Sequence, residues 1–305
     1  MAASELDGLR AYQPQDLDRV LQFVGECCAA SDFCGCLHYG DVIHFMSNTL
    51  RGRDLSNHLH IYEADGAIQA IILLNPARIA GFNVIAHPDL RGTALEYALL
   101  AWADISERML APEAQSIVTE GADCDTNRQK MLRDLGYEAS AKPDMMVTMR
   151  SLQTIPGVVL PDGFTIRPVA GEHEAAWVIE AHVSAFNSKW TAEDYLSVMR
   201  TPGFEIDREL VVVAPDGRCA AFLVYWLDPV TRCGLFEPVG CHADFQRRGL
   251  TRALMYEGMR RMKSRGMTSA SVAHHTDNLA STGLYRSLGF TPKYSVTDFS
   301  KAMAS

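Results

Sequence analysis

The sequence has no apolar run that approaches the roughly 20 residues of a membrane-spanning helix. Its longest candidate, CAAFLVYWL at residues 219–227, has the length of a strand. The first ten residues, MAASELDGLR, also lack the basic segment followed by an apolar one that marks a secretory signal. We therefore expect a cytoplasmic protein that does not associate with membranes.

The eight cysteines follow no regular spacing. Cys27, Cys28, Cys34 and Cys36 cluster close to His38, where a zinc site is conceivable. The cluster lacks the paired C-x2-C spacing that is typical of zinc-binding knuckles. We interpret these residues as small apolar side chains of a protein from a reducing compartment, and we expect no metal.

Basic charge is scarce in the first half of the chain and concentrated in the second. Residues 1–150 contain 12 basic and 21 acidic residues, whereas residues 151–305 contain 16 of each. Seven basic residues lie between Arg247 and Arg265. The second half of the chain is therefore better suited to bind an anionic ligand. The net charge of −9 and the shortness of the basic cluster argue against a nucleic-acid partner.

Three short motifs recur in the same order at nearly one offset. DGL at residue 7 returns as DGF at residue 162, HPDL at 87 as HADF at 242, and LGY at 135 as LGF at 288. This recurrence indicates an internal duplication. A segment with two prolines and two glycines, 151–163, separates the copies. We predict a domain at residues 1–150, a linker at 151–162 and a second domain at 163–305.

Each copy follows the same order of predicted elements. Apolar segments around ADG at residues 64–66 and PDG at 215–217 are typical of hairpins. A further strand and an amphipathic helix follow, and in the second copy Leu250, Leu254, Gly258 and Met262 recur at a spacing of four. The sequence therefore predicts an α/β fold of two tandem domains, each a central mixed β-sheet flanked by helices.

The segment between the strand and the amphipathic helix of the second copy predicts a phosphate-binding loop. A helix N-terminus presents unpaired N–H groups and the positive end of the helix dipole. Gly249 allows a phosphate to approach the backbone, and Arg247 and Arg248 add positive charge. Thr251 offers a hydroxyl group. The segment is not a P-loop, because it lacks G-x-x-x-x-G-K-[ST].

The residues from Gln246 to Thr251 resemble the Q/R-x-x-G-x-G/A signature of the GNAT acyltransferase superfamily, whose loop grips the pyrophosphate of acetyl-CoA. Thr251 stands where that signature has Gly or Ala. DNLASTGLYRSLGF at 277–290 resembles a second signature of the superfamily, in which the Asn contacts the cofactor arm and the Tyr lies near the leaving thiolate. The resemblance covers residues 163–295 and, more faintly, 7–145. The tandem layout resembles that of the family of mycothiol synthase.

The resemblance implies a site for acetyl-CoA, with Tyr285 as the general acid that protonates the leaving thiolate. Pro238 and Gly240 predict a bulge or splay in the preceding strand, and the alternative is that both simply mark an edge strand. Glu237 on this strand is a candidate general base, although a substrate-binding or solvent-facing role fits equally well. The expected cofactor-binding residues are Val239, Gly240, Cys241, Gln246, Arg247, Arg248, Gly249, Leu250, Thr251, Asn278 and Tyr285.

The acceptor pocket is expected near Trp190 and Tyr225, because the superfamily usually builds it in those regions. Aromatic side chains suit an amine with an apolar body, and Asp228 or Glu237 can hold an ammonium group. The alternative is that the aromatic residues belong to the core.

The first copy lacks the features expected of a cofactor site. Ala94 aligns with Gly249, Glu96 with Thr251, and Leu132 with Tyr285. A carboxylate at the position of Thr251 repels a phosphate. We expect the first copy to be structural or to shape a substrate cleft. The alternative is that Arg91 and Gly92 bind a phosphate in another register.

The sequence thus predicts an acetyl-CoA-dependent N-acetyltransferase that acts on a primary amine of a small molecule. The alternatives are acetylation of a protein or peptide amine, and a non-catalytic acyl-CoA sensor or scaffold. The identity of the amine, the preferred acyl chain and the oligomeric state stay open.

Overall fold

The computed structural model describes residues 6–76, 80–201 and 203–303. Residues 1–5 of the N-terminal segment considered above lie outside these ranges. The chain divides into two compact units. The first comprises Met1–Val147, Ala273–Leu279 and Pro292–Ser305, and the second comprises Thr148–Val272 and Ala280–Thr291.

The two units are built from the following regular elements. The strands are β1 Leu9–Ala11, β2 Leu59–Ala64, β3 Ala67–Pro76, β4 Ala80–Ala86, β5 Ser116–Ala122, β6 Glu138–Ala139, β7 Met145–Ser151, β8 Thr165–Pro168, β9 Glu209–Val213, β10 Cys219–Asp228, β11 Cys233–Cys241, β12 Ser269–His275 and β13 Thr291–Ala302. The α-helices are α1 Leu17–Ala30, α2 Tyr39–His44, α3 Ala94–Leu110, α4 Thr126–Asp134, α5 Ala175–Phe186, α6 Ala192–Met199, α7 Leu250–Ser264 and α8 Leu279–Ser287.

The sheet of the first unit is mixed. Its strands follow the order β1-β2-β3-β4-β5-β13, with β6 also paired to β13. Only β4 and β5 among these pairs are parallel, through Ala80 with Ile117 and Gly81 with Val118. The predicted hairpin at 64–66 joins the antiparallel strands β2 and β3. Buried side chains of α1, α3 and the strands form the core of this unit.

The second unit repeats the architecture. Strands β8, β9, β10 and β11 are antiparallel neighbours, and β12 runs parallel to β11. The predicted hairpin at 215–217 joins β9 and β10, and α7 begins at Leu250, where the sequence predicts it. Helices α7 and α8 contribute to one buried cluster and α5 and α6 to another. The predicted fold class, two domains with mixed sheets flanked by helices, is confirmed.

Most of the C-terminal strand β13 belongs to the first unit. The predicted second domain runs to residue 305, whereas the described residues 292–303 belong to the first unit. There β13 pairs antiparallel with β5, from Val296 with Ala122 to Ala302 with Ser116. The predicted linker is irregular, because residues 152–164 form neither helix nor strand. The domain boundaries themselves stay a prediction.

The cysteines also differ from expectation. Cys34 forms a disulfide with Cys124, which is 90 residues away in sequence. The interpretation of this cluster as reduced thiols is therefore wrong for Cys34. Among the described residues, no helix combines the length and the apolar composition that crossing a membrane requires.

Candidate active site

Strand β11 has a bulge at Glu237 and Pro238. Tyr225 of β10 pairs with Phe236, but Leu223 pairs with Val239, so two residues of β11 lie opposite one residue of β10. The peptide bond between Glu237 and Pro238 is cis. An irregularity is thus present where the sequence predicts one.

Beyond its first three residues, β11 diverges from β12. The described pairing of the two strands ends at Leu235 with Ser271, whereas β11 continues to Cys241. A parallel neighbour that pairs over part of its length leaves backbone N–H groups of the longer strand for other partners. Such N–H groups can donate hydrogen bonds to the carbonyl and amide oxygens of an extended ligand.

Gly240 has a packing role in this strand. A Cβ atom at this position would collide with the ring of Phe222, which is buried under the strand. The glycine therefore permits close contact between the strand and this aromatic side chain. The sequence explained Gly240 only by backbone irregularity, because the partner Phe222 lies on the neighbouring strand.

The loop after β11 exposes its backbone at the start of α7. Gln246, Arg247, Arg248 and Gly249 are all solvent-exposed. Arg247 and Gly249 have left-handed backbone conformations, with φ of 62° and 78°. No side chain caps α7, and a Cβ atom on Gly249 would meet nothing within 4 Å. The helix therefore presents free N–H groups and open space to an anion.

Two arginine side chains pack against Phe245, the residue that precedes this loop. The guanidinium of Arg248 lies 5.5 Å from the ring centroid of Phe245, and that of Arg218 lies 4.5 Å from it. Arg218 also forms an ion pair of 2.7 Å with Asp244. The first turn of α7 contains no acidic residue. This charge distribution favours phosphate over a neutral ligand.

Thr251 does not point freely into the loop. Burial raises the pKa of the Cys241 thiol, and a hydrogen bond with the Thr251 side chain opposes this effect. Leu250 is buried in the core. The phosphate contacts expected of Leu250 and Thr251 stay a prediction, and only their backbone groups are suited to make them.

Tyr285 of α8 is held in a protonated state at neutral pH. Burial raises its pKa to about 12, and the negative charge of Glu237 contributes in the same direction. This coupling shows that the two candidate catalytic residues lie within electrostatic range of each other. Only 6% of Tyr285 is exposed, whereas Glu237 is an exposed residue.

Trp226, which lies in the sequence region expected to build the acceptor pocket, makes a contact in this site that the sequence does not reveal. Its indole Nε1–H donates a hydrogen bond to the carbonyl oxygen of Glu237 at 3.1 Å. This contact holds the bulge from the neighbouring strand. Side chains alternate along β10, so Trp226 and Tyr225 lie on opposite faces of the sheet. The sequence pattern contains this alternation, but it does not reveal the partner carbonyl.

The expected acceptor residues do not gather in one place. Tyr225 is buried in the core cluster that contains α7. Asp228 is buried at the turn between β10 and β11, where Oδ1 accepts from the Val230 N–H at 2.8 Å and Oδ2 from the Thr231 hydroxyl at 2.6 Å. Trp190 is partly buried and stacks on His182, with ring centroids 4.8 Å apart.

The His182 ring is the centre of an aromatic group between α5 and β10. Phe186 and Phe222 lie 4.8 Å and 5.5 Å from it, measured between ring centroids. Burial lowers the pKa of His182. Phe186 is 46% exposed, so the group has an accessible apolar edge.

Asn278 directly precedes α8 and packs with the first unit. Its N–H donates to the carbonyl of His275 at 3.0 Å. A contact with a cofactor arm stays a prediction for this residue.

The corresponding loop of the first unit binds a carboxylate side chain of the same unit. Glu96 is fully buried, and its Oε2 accepts a hydrogen bond from the N–H of Gly92 at 2.6 Å. Its Oε1 lies 2.7 Å from Nη2 of Arg128. Thr93 caps α3 by accepting from the N–H of Glu96. The N–H groups and the cation that would receive a phosphate are therefore engaged within the chain.

The second unit lacks this pair. At the offsets of the duplication, Thr251 stands at the position of Glu96 and Ser281 at the position of Arg128. Neither residue brings a charge, so the loop of the second unit has no internal anion at that point. The loop of the second unit therefore has no carboxylate of its own chain at the position of Glu96.

The fold and this site define an acyltransferase of the GNAT type. Residues 177–290 match the Acetyltransferase (GNAT) family. The mycothiol acetyltransferase of Thermomonospora curvata is 30% identical over an alignment of 248 positions, which covers 76% of this chain and 78% of that protein. That of Nocardiopsis dassonvillei is 27% identical over an alignment of 314 positions, which covers 90% of this chain and 91% of the relative. The chain belongs to the GNAT acetyltransferase family and is an acetyl-CoA-dependent enzyme.

A solved structure shows the same tandem fold. The tandem GNAT protein from the clavulanic acid biosynthesis pathway has a TM-score of 0.70 at 14% identity, covering 97% of this chain and 98% of that one. At this identity the likeness concerns the fold alone.

Proposed function

We propose that the chain transfers the acetyl group of acetyl-CoA to the primary amine of a small molecule, and that the second unit holds acetyl-CoA. The observation that carries the proposal is the exposed loop at Gln246–Gly249, which presents uncapped helix N–H groups and arginines. The relatives named mycothiol acetyltransferase support a small-molecule acceptor.

The residues of the second unit fit the cofactor. The loop and the N-terminus of α7 would hold the pyrophosphate, because open space surrounds Gly249 and no carboxylate occupies the first turn. Val239, Gly240 and Cys241, on the part of β11 that diverges from β12, would offer backbone groups to the pantetheine arm. Bound in this way, acetyl-CoA supplies the activated acetyl group.

Tyr285 and Glu237 have complementary roles in the proposal. Tyr285 keeps its proton at neutral pH, so it can donate that proton to the sulfur that leaves. Glu237 is exposed beside the bulge and would accept a proton from the attacking amine, directly or through a water molecule. Trp226 fixes the backbone of Glu237 and so positions this carboxylate.

The acceptor pocket is proposed at the accessible edge of the aromatic group, with Trp190 as one of its walls. Asp228 contributes no ammonium site to this proposal, since both of its oxygens accept hydrogen bonds within the turn. Tyr225 would not contact the acceptor directly. Its role would be structural, as the core residue that pairs with Phe236 of β11.

Release of free CoA in the presence of a panel of small amines and lysine-containing peptides tests the proposal. We expect turnover with a small primary amine and its loss in Glu237→Gln. Turnover with peptides alone would favour a protein acetyltransferase. Binding of acetyl-CoA without transfer to any acceptor would favour a sensor.

A further inference from the structure

Four cysteines of the first unit meet around the segment that follows α1. The disulfide between Cys34 and Cys124 ties this segment to the residues before α4, with Cα atoms 5.9 Å apart. Cys124 is exposed and Cys34 is partly exposed. The remaining two, Cys28 and Cys36, are not disulfide-bonded.

Cys28 and Cys36 form a contact pair. The thiol of Cys28 hydrogen-bonds with the sulfur of Cys36, and it also lies 3.2 Å from the carbonyl oxygen of Leu37. Cys28 is buried at the end of α1, whereas Cys36 is partly exposed. Two thiols in hydrogen-bonding contact need only a small movement to form a disulfide.

The surroundings of Cys36 favour its thiolate. The Ser31 hydroxyl lies 3.1 Å from its sulfur, and Nη2 of Arg91 lies 3.4 Å from it. The hydrogen bond with Cys28, followed by those with Ser31 and Arg91, lowers the pKa of Cys36 to about 6 although burial opposes the shift. In contrast, burial raises the pKa of Cys27 and of Cys241.

Other charged groups face this centre. Arg91 also lies 3.7 Å from Asp125, and its Nη2 donates to the carbonyl of Cys34 at 2.8 Å. The Tyr294 hydroxyl donates to the carbonyl of Cys36 at 3.0 Å. Burial raises the pKa of Tyr294, so this group stays neutral where Cys36 ionises.

We propose that Cys36 and Cys28 are a redox-active dithiol that reduces low-molecular-weight disulfides. The Cys36 thiolate attacks one sulfur of the disulfide, forms a mixed disulfide and releases the first small thiolate. Cys28 then gives its proton to the first small thiolate and attacks the sulfur of Cys36, which releases the second small thiolate; this thiolate takes its proton from water. The protein gains a Cys28–Cys36 disulfide, and the substrate is reduced to two thiols.

The disulfide between Cys34 and Cys124 has a supporting role in this centre. It fixes the backbone two residues before Cys36, and Arg91 binds the carbonyl of Cys34 and the sulfur of Cys36 at once. The existing disulfide thus keeps the reactive thiol beside its cation.

The test is the reaction of the full-length chain, free of added reductant, with 2,2′-dithiodipyridine. We expect a rapid phase that releases about two equivalents of pyridinethione in the unmodified chain, about one in Cys28→Ala and none in Cys36→Ala. Mass spectrometry of a non-reduced digest should find the Cys28–Cys36 disulfide in the unmodified chain only.

The pH dependence separates this centre from an ordinary thiol. The rapid phase should be half-maximal near pH 6 in the unmodified chain, and Arg91→Gln should move this midpoint upward because a cation is lost. Cys241 of the same protein, quantified from the same digest, is the internal reference and should react slowly at neutral pH. An unchanged rapid phase in Cys36→Ala would overturn the proposal. If Cys28→Ala fails to fold by circular dichroism, the digest of the unmodified chain decides, and absence of the Cys28–Cys36 disulfide refutes it.

Discussion

Glu96 and Arg128 form a buried ion pair, with 2.7 Å between Oε1 and Nη2, beside the loop of the first unit that corresponds to the arginine-rich loop of the second. The same glutamate accepts from the N–H of Gly92. In the first unit, a carboxylate of the same chain therefore binds the loop N–H group and the arginine. The corresponding loop of the second unit is exposed to solvent.

Removal of one partner of this pair should destabilise the chain strongly. Glu96→Ala leaves Arg128 buried without its counter-charge, and we expect a loss of about 3–5 kcal/mol in the free energy of unfolding. Urea denaturation of Glu96→Ala, Arg128→Ala and the double variant measures the coupling. If the free energy of unfolding lost in the double variant equals the sum of the losses in the two single variants, the two residues do not act as a unit.

Gly249→Asp should abolish the binding of acetyl-CoA, because it places a carboxylate in a left-handed position at the start of α7. Isothermal titration of acetyl-CoA should give one site per chain, lost in this variant. The matched control is Ala94→Asp, which adds a carboxylate at the aligned, exposed position of the first unit and should leave the titration unchanged. Two sites, one of them lost in Ala94→Asp, would show that the first unit also binds the cofactor.

Tyr285→Phe should lower kcat by about 10²–10⁴-fold with little change in the dissociation constant of acetyl-CoA, because it removes the proton donor and keeps the ring. Steady-state kinetics and titration on the same preparation separate the two effects. A variant with unchanged kcat would exclude Tyr285 as the general acid.

Glu209 gives the second unit a pH-dependent stability. Burial raises the pKa of this carboxyl group from 4.5 to about 8. Between these values the folded chain keeps a proton that the unfolded chain releases, so the free energy of unfolding falls as the pH rises. The contribution of this group is about 1.4 kcal/mol per pH unit.

Urea denaturation across this pH range measures the slope. Glu209→Gln, which cannot ionise, should remove this part of it, whereas replacement of the exposed Glu180 by Gln should keep it. Equal slopes in Glu209→Gln and the unmodified chain would contradict the assignment.

Local pattern predicted much of the second unit. The hairpin at residues 215–217 and the start of α7 at Leu250 depend on turn residues and helical periodicity, which act over a few positions. The bulge at Glu237 and Pro238 follows from the chemistry of proline. The loss of the glycine and the gain of Glu96 in the first copy were visible once the copies were aligned.

Contacts between residues that are distant in the chain could not be predicted from the sequence. Spacing could not show that Cys34 bonds to Cys124, 90 positions away, because the tertiary fold and not the local sequence brings the two loops together. The hydrogen bond from Trp226 to Glu237 depends on the register of β10 and β11. The pairing of β13 with β5 could not be predicted either, because the alternation of residues along a strand does not specify which strand edge it will pair with.

The pairing of β13 with β5 also has a consequence for biosynthesis. A ribosome releases residues 116–122 long before it reaches residues 296–302, yet these two segments share one ladder of hydrogen bonds. The unit that is translated first must therefore wait for the last strand before its sheet is complete, and the edge of β5 needs shielding from other nascent chains until then.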